Sequence, residues 1–214
     1  MARNKRILCL ASLLKGFDTV VDIGSDHGYV LEEAFRQGFI KKGIATDVRE
    51  MPLARSLKTL KNYPVKGILS DGFLAIHDPF DAAVIAGMGA YLIADLLVHA
   101  PQEDQIFILQ PNDKESHLRL RLSELGFMIT DEFVVHDRFY YVIIIAKRGS
   151  MTLSKEDLIL GPCLKHKKEA IPFYQRRLNI MSEIMEKADD AKQELLKDEY
   201  QIISNHLSKI GMKE

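Results

Sequence analysis

Four aspartates and five glycines stand at spacings that suit holding a polar, positively charged small molecule. In T-V-V-D-I-G-S-D-H-G (19–28), Asp22, Gly24, Asp26 and Gly28 fall at alternate positions. Carboxylates accept hydrogen bonds from hydroxyl and amino groups and offset nearby positive charge. Glycines let the backbone turn tightly and approach a ligand. Asp47 follows Asp22 by 25 residues and is suited to both hydroxyls of a ribose, or alternatively to capping a helix. Asp71-Gly72 offers an acceptor for an adenine amino group with room for the ring beside it, or a plain D-G turn. Asp26 and His27 are the residues suited to work beyond binding. A carboxylate at Asp26 stabilises positive charge developing on a reacting ring, although it also suits an N-cap. His27 serves the same corner or only packs there. Gln110 and Asn112, on either side of Pro111, carry amides that can read a base's pairing edge or satisfy local backbone. Tyr29 can stack on a base or be buried.

The elements that must hold these residues read off the periodicity. Val20, Val21 and Ile23 form a short, partly β-branched strand that breaks into the glycine corner, where a helix begins. Such a strand–turn–helix corner binds nucleotides. It lacks the dinucleotide spacing G-x-G-x-x-G, which disfavours a nicotinamide dehydrogenase. It is closer to the D-x-G-x-G-x-G of S-adenosylmethionine enzymes, with Asp26 in place of the middle glycine. Further strands are expected at 43–46, 66–70, 81–86 and 105–109, running into Asp47, Asp71-Gly72, Gly87-Met88-Gly89 and Gln110-Pro111-Asn112. Helices are expected over 3–14, 30–37, a stretch after Pro52, 90–98 and 114–125. The runs 127–135 and 139–147 form a closing hairpin, with His136-Asp137-Arg138 between them. Alternating strands and helices imply an α/β unit with a mostly parallel sheet. Ligands in such sheets bind beyond the carboxyl ends of the strands, and every one of the first five strands ends in glycine, aspartate or Q-P-N.

Gly87-Met88-Gly89 stands where amino-directed adenine methyltransferases carry (N/D)-P-P-(Y/F). The absence of that motif argues against attack by an exocyclic amine. It leaves a bare backbone against which a cofactor or base can lie. After Gly149-Ser150 the strand pattern stops. Ile171, Tyr174, Leu178, Met181, Met185 and Ala188 repeat at steps of three and four, as do Leu196, Tyr200, Ile203, Leu207 and Ile210. Each set is an a/d seam. The expected organisation is a cofactor-binding domain at 1–150 and a helical coiled-coil hairpin at 151–214, or else helices that simply pack back on the sheet domain.

Composition excludes several classes. The chain has 214 residues, two cysteines and a formal net charge of −1. No apolar run reaches the roughly 20 residues that span a bilayer, so no membrane association is expected. The basic Met1 to Lys5 stretch leads into a short apolar run containing Ser12 and Lys15, which reads as a helix of the mature fold rather than a signal peptide. Cys9 and Cys163 are solitary, which disfavours a zinc cluster or disulfide framework and fits a reducing cytoplasm. No metal site is expected.

Three motifs in order, D-I-G-S-D-H-G-Y (22–29), I-A-G-M-G (85–89) and I-L-Q-P-N (108–112), resemble the bacterial tRNA adenine-22 N1-methyltransferases. The resemblance covers nearly the whole chain. It implies a class I, Rossmann-like methyltransferase domain with a seven-stranded, mostly parallel sheet, followed by a coiled-coil domain. It also implies methyl transfer from S-adenosyl-L-methionine to N1 of adenine 22 in the D-arm region of certain tRNAs. Cofactor contacts then fall to Asp22, Gly24, Ser25, His27, Gly28, Asp47, Val48, Asp71, Gly72, Gly87 and Met88. Asp26 lies in the reaction centre, and Tyr29, Gln110, Pro111 and Asn112 face the substrate. The chain departs from the pattern at Gly28 (alanine is usual), at Val30-Leu31 (for Leu-Pro), at Met51-Pro52 (for Gly-Pro) and at Ala90 (for glycine).

Phosphate contacts give such an enzyme most of its affinity for RNA. Arg3-Asn4-Lys5-Arg6, Lys41-Lys42, Lys165-His166-Lys167-Lys168 and Arg176-Arg177 are the basic patches suited to them, and each also reads as a solvated face. No obligatory protein partner is evident. Two other readings share the fold: a small-metabolite methyltransferase with dimerising helices, and an RNA-binding module without turnover.

Overall fold

A computed structural model describes residues 4–211; Arg3, part of one basic patch, lies outside them. The chain divides into two compact units, Met1–Thr152 and Leu153–Glu214.

The first unit runs α1 (Lys5–Ser12), β1 (Thr19–Ile23), α2 (Tyr29–Arg36), β2 (Lys42–Asp47), α3 (Glu50–Thr59), β3 (Val65–Leu69), β4 (Ala82–Met88), α4 (Ala90–Leu97), β5 (Ile106–Pro111), α5 (Glu115–Glu124), β6 (Phe127–His136) and β7 (Tyr140–Arg148). Its seven strands form one sheet in the order β3-β2-β1-β4-β5-β7-β6. β1 pairs in parallel with β2 and β4, β2 with β3, and β4 with β5. Only β7 runs antiparallel to its neighbours, β5 and β6. The strand order reverses between β1 and β4, which opens a crevice at their carboxyl ends.

Side chains alternate across the strands, so the sheet has two apolar faces. Val20, Val84, Ile108 and Ile143 pack with Leu10 and Leu14 of α1 and with Leu31 and Ala34 of α2. Phe107, the neighbour of Ile108, meets the edges of Phe73 and Phe127 instead. Asp81 sits at the opposite end of the sheet from the crevice. Its carboxylate accepts from the N–H groups of Asp18 and Thr19 at 2.9 and 2.8 Å, tying the starts of β1 and β4 together. No helix joins β3 to β4; the connection is a series of turns that buries Phe73.

Two strands overrun the periodicity by two residues. β4 and β5 continue to Met88 and Pro111, past the expected 86 and 109. β-pairing persists there because Met88 still pairs with Pro111, across a register shift after Ala86. β6 and β7 are longer than β5. Since β7 is antiparallel to β5, with Leu109 opposite Ile144, the β6–β7 turn projects beyond the carboxyl end of β5.

The second unit holds α6 (Lys155–Leu160), two 3-10 turns (Leu164–His166 and Lys168–Ala170), α7 (Ile171–Met185) and α8 (Asp190–Gly211). The periodicity does not announce α6, yet its start is written in the sequence. Ser154 accepts from the Asp157 N–H while the Asp157 carboxylate accepts from the Ser154 N–H, a reciprocal cap. α7 and α8 pack on each other along Tyr174, Met181 and Ile203, all buried. The Tyr174 hydroxyl donates to the Leu160 carbonyl at 2.5 Å, which fixes α6 against α7.

Candidate active site

A cavity of about 540 Å³ opens at the carboxyl ends of β1 to β4, within the roughly 300–1,000 Å³ of small-molecule sites. Its wall includes Asp22, Gly24, Ser25, Asp26, His27, Gly28, Tyr29, Asp47, Val48, Asp71, Gly72, Gly87 and Met88. Thus every residue expected at the cofactor, together with Asp26 and Tyr29, borders one space. Gln110, Pro111 and Asn112 do not line it.

The corner after β1 is built by two left-handed glycines. Gly24 has φ +72°, and a Cβ there would come within 2.1 Å of the Met88 Cε. Gly28 is the N-cap of α2 at φ +68°, with no side-chain cap. A Cβ at Gly28 would lie 2.8 Å from both the Leu60 Cδ1 and the Ser56 Oγ. The Ser25 N–H donates to the Thr46 carbonyl at 2.8 Å, and the Ser25 and Ser56 hydroxyls meet at 3.0 Å. The corner is therefore tied to β2 and α3. Asp26 does not cap α2; Arg55 of α3 donates to its Oδ1 at 2.6 Å. His27 Nε2 lies 3.4 Å from Asp26 Oδ2. The His27 and Tyr29 rings stack at 5.1 Å, with planes 6° apart. Tyr29 is 46% exposed rather than buried, because it begins α2 on the solvent side of the corner.

The acidic groups differ in environment. Asp22 is buried, and desolvation lifts its pKa from 3.8 to about 6, partly offset by a hydrogen bond from Ser25. Asp47 is also buried, and its carboxylate accepts from the Arg49 N–H at 2.9 Å. It thus braces the start of α3 while bordering the cavity. Asp71 is exposed at the rim.

The amides of the Q-P-N turn are engaged locally. The Gln110 amide nitrogen donates to the Pro111 carbonyl at 2.6 Å, and its oxygen accepts from Arg6 Nη1 at 2.9 Å. Asn112 Nδ2 donates to the Gly87 carbonyl at 2.7 Å, and the Asn112 N–H to the Met88 carbonyl at 2.8 Å. Asp113 accepts from the Ala90 N–H at 3.4 Å. The turn after β5 is therefore laced to the turn after β4.

Sequence reasoning misses several wall residues. Arg6, Ile7 and Leu10 come from α1, and Arg49, Ser70, Ala86, Leu92 and Leu96 from the strand ends and α4. In sequence Arg6 belongs to a basic patch that also reads as a solvated face. Instead it lies against Gly87 and Gln110, with its guanidinium 5.1 Å from the Tyr141 ring centre. Its Nε is buried with no hydrogen-bond partner. Only the fold reveals this, because α1 precedes the glycine corner and shows no motif of its own.

The chemistry of the wall fits S-adenosylmethionine. Acidic tips suit hydroxyl and amino groups, the bare glycine backbone admits close approach, and an unused guanidinium donor suits a carboxylate. This sheet order with one antiparallel strand, and this acidic, glycine-lined crevice, define a Rossmann-like, class I methyltransferase fold.

Comparison with known proteins narrows the class. The family model of tRNA (adenine(22)-N(1))-methyltransferase matches residues 20–212, and the chain belongs to that family. It is similar to the Bacillus subtilis tRNA (adenine(22)-N(1))-methyltransferase, 26% identical over 183 residues, covering 78% of this chain and 77% of that protein. A Mycoplasma pneumoniae protein assigned as a tRNA methyltransferase is 34% identical over 174 residues, covering 75% and 80%. The crystal structure of Streptococcus pneumoniae Sp1610, assigned as a tRNA (m1A22) methyltransferase, superposes with a TM-score of 0.88 at 28% identity, covering 96% of this chain and 100% of that one. Its complex with S-adenosyl-L-methionine gives 0.83 at 29% identity over the same shares.

Proposed function

We propose that the chain methylates N1 of adenine 22 in tRNA, using S-adenosylmethionine. The reading rests on the family match over residues 20–212. The convergence of the acidic strand ends on one cavity supports it. S-adenosylmethionine supplies a methyl group made electrophilic by its sulfonium. Asp47 would hold the ribose hydroxyls and Asp71 the adenine amino group, while Gly24 and Gly87 would leave backbone open to the amino-acid end. Asp22, once ionised, would add a buried negative charge to the wall of a site for a cationic cofactor.

The acceptor N1 carries a free lone pair, so the chain needs no general base to start the reaction. The ring gains positive charge as it is alkylated, and the Asp26 carboxylate stabilises it electrostatically. Tyr29, in the cavity wall, offers a stacking face to the base. Adenine N1 lies on the pairing edge, so the base must leave its pair before it reacts. The site functions in the compartment that holds tRNA, the cytoplasm. Among the described residues no helix is long and apolar enough to cross a membrane.

The test is mass mapping of modified nucleosides in tRNA treated with the protein and S-adenosylmethionine. One new 1-methyladenosine at position 22 is expected. Methylation elsewhere, or of small metabolites only, would overturn the reading.

A further inference from the structure

The β6–β7 hairpin projects past the carboxyl end of β5, on the rim that carries the cavity. Its turn is tight: the Asp137 N–H donates to the Phe139 carbonyl at 3.0 Å. Rings and guanidiniums are interleaved around the tip. At the tip Phe139 is 59% exposed, with the Arg138 guanidinium 5.4 Å from its ring centre. His136 and Tyr140 face each other across the hairpin at 4.4 Å. One residue further along β7, Tyr141 meets Phe139 edge-on at 6.5 Å. Arg6, a cavity-wall residue, lies over the Tyr141 ring and bonds Gln110. A continuous line of side chains therefore joins the cavity wall to an exposed phenylalanine.

Core packing does not call for that phenylalanine, since the sheet's apolar faces are filled by other residues. Interleaved rings and cations are the chemistry of nucleic acid with its bases unstacked: the rings take bases, the guanidiniums take phosphates. Resting on the proposed methylation of a pairing-edge nitrogen, we infer that Phe139 is a positioning residue that stacks into the tRNA beside the extruded adenine. Extrusion costs the base its stacking and its pair. A ring that takes the vacated stack offsets this, while Arg138 neutralises the adjoining phosphate.

The experiment compares wild type, Phe139→Ala and Phe139→Trp, as full chains, on two tRNAs. One has adenine 22 paired; the other has it unpaired by changing the nucleotide that faces it. S-adenosylmethionine affinity and melting temperature are measured alongside and are expected to match wild type, since the ring is exposed and lies outside the cavity wall. Phe139→Ala is expected to lose about ten- to a hundredfold in kcat/KM on the paired tRNA, the scale of removing one base-stacking ring. Most of that loss should be restored on the unpaired tRNA, and Phe139→Trp should retain activity on both. An equal loss on both tRNAs would make the hairpin a general docking contact and overturn the assignment, as would no loss at all. If wild type methylates neither tRNA, the proposed activity fails instead, which is a separate outcome.

Discussion

Arg55 Nη1 lies 2.6 Å from Asp26 Oδ1, so the carboxylate proposed for the reaction centre is held by a cation from α3. The partners are each about half exposed, which leaves the pair open to exchange with solvent or ligand. If Asp26 offsets charge on the methylated ring, Asp26→Asn should lower kcat by about 100-fold with little change in tRNA affinity. Arg55→Ala leaves the carboxylate charged and should cost less. Single-turnover methylation and filter binding measure both, and an unimpaired Asp26→Asn enzyme would remove Asp26 from the mechanism.

Buried Asp22 gives stability a pH dependence. Its folded-state pKa, raised by desolvation to about 6, lies above the ordinary 3.8. Its contribution is therefore fully present below 3.8 and lost as pH rises through about 6. Asp22→Asn should flatten this part of the profile and stabilise the apo protein at pH 7 by on the order of 2–3 kcal/mol, while weakening cofactor binding. Urea denaturation across that pH range tests the first effect, and calorimetry with S-adenosylmethionine the second.

The two corner glycines should fail differently. Gly24→Ala bears the same left-handed backbone cost as Gly28→Ala and in addition drives a Cβ into the Met88 side chain at the cavity wall, so it should also cost cofactor affinity tenfold or more. Gly28→Ala meets Leu60 and Ser56 behind the wall, and should cost mainly stability, about 1–2 kcal/mol for the left-handed backbone alone. A tolerated Gly28→Ala would mean that the corner relaxes out of φ +68°. Melting temperatures with and without cofactor separate the cases.

Arg119 and Glu132 form a pair 1% and 0% exposed, with Nε and Oε1 2.8 Å apart, between α5 and β6. Removing one partner strands a buried charge, so Glu132→Gln or Arg119→Met should each cost about 3–5 kcal/mol. The double replacement by apolar residues should recover most of it. Chemical denaturation of the three variants is the check.

The basic patches of the helical unit should separate by their partners. Lys165 is held by Asp157 at 2.9 Å, and Arg177 by Glu199 at 2.8 Å. Lys168 and Arg176 are exposed. Lys168→Glu and Arg176→Glu should weaken tRNA binding and reduce its salt dependence, by roughly 0.7–0.9 in the log–log slope for each phosphate no longer neutralised. Arg177→Ala should act mainly on stability.

The strands were legible because buried β-branched runs and the breaks after them are local signals. The crevice was legible because Asp22, Asp47 and Asp71 end parallel strands, and parallel pairing brings such ends together. What stayed hidden depends on contacts between distant stretches. Arg55 reads as a helix-surface cation until α3 packs beside the glycine corner. Arg119 and Glu132 look like solvated charges until α5 covers a β6 whose register shifts between Ile129 and Asp131. Gln110 and Asn112 carry groups suited equally to reading a base or to satisfying backbone, and only the packing of β4 beside β5 shows that Asn112 serves the Gly87 carbonyl. Ser154 and Asp157 did carry a local signal, a reciprocal cap, masked by the shortness of α6.

The stitching of Asn112 and Asp113 to Gly87, Met88 and Ala90 makes I-A-G-M-G and I-L-Q-P-N a single mechanical part, although they lie far apart along the chain. Drift in either should demand an answer in the other. Residue 113 would then be exchangeable only for one whose side chain still reaches the amide of residue 90, a coupling that paired exchanges among relatives would expose.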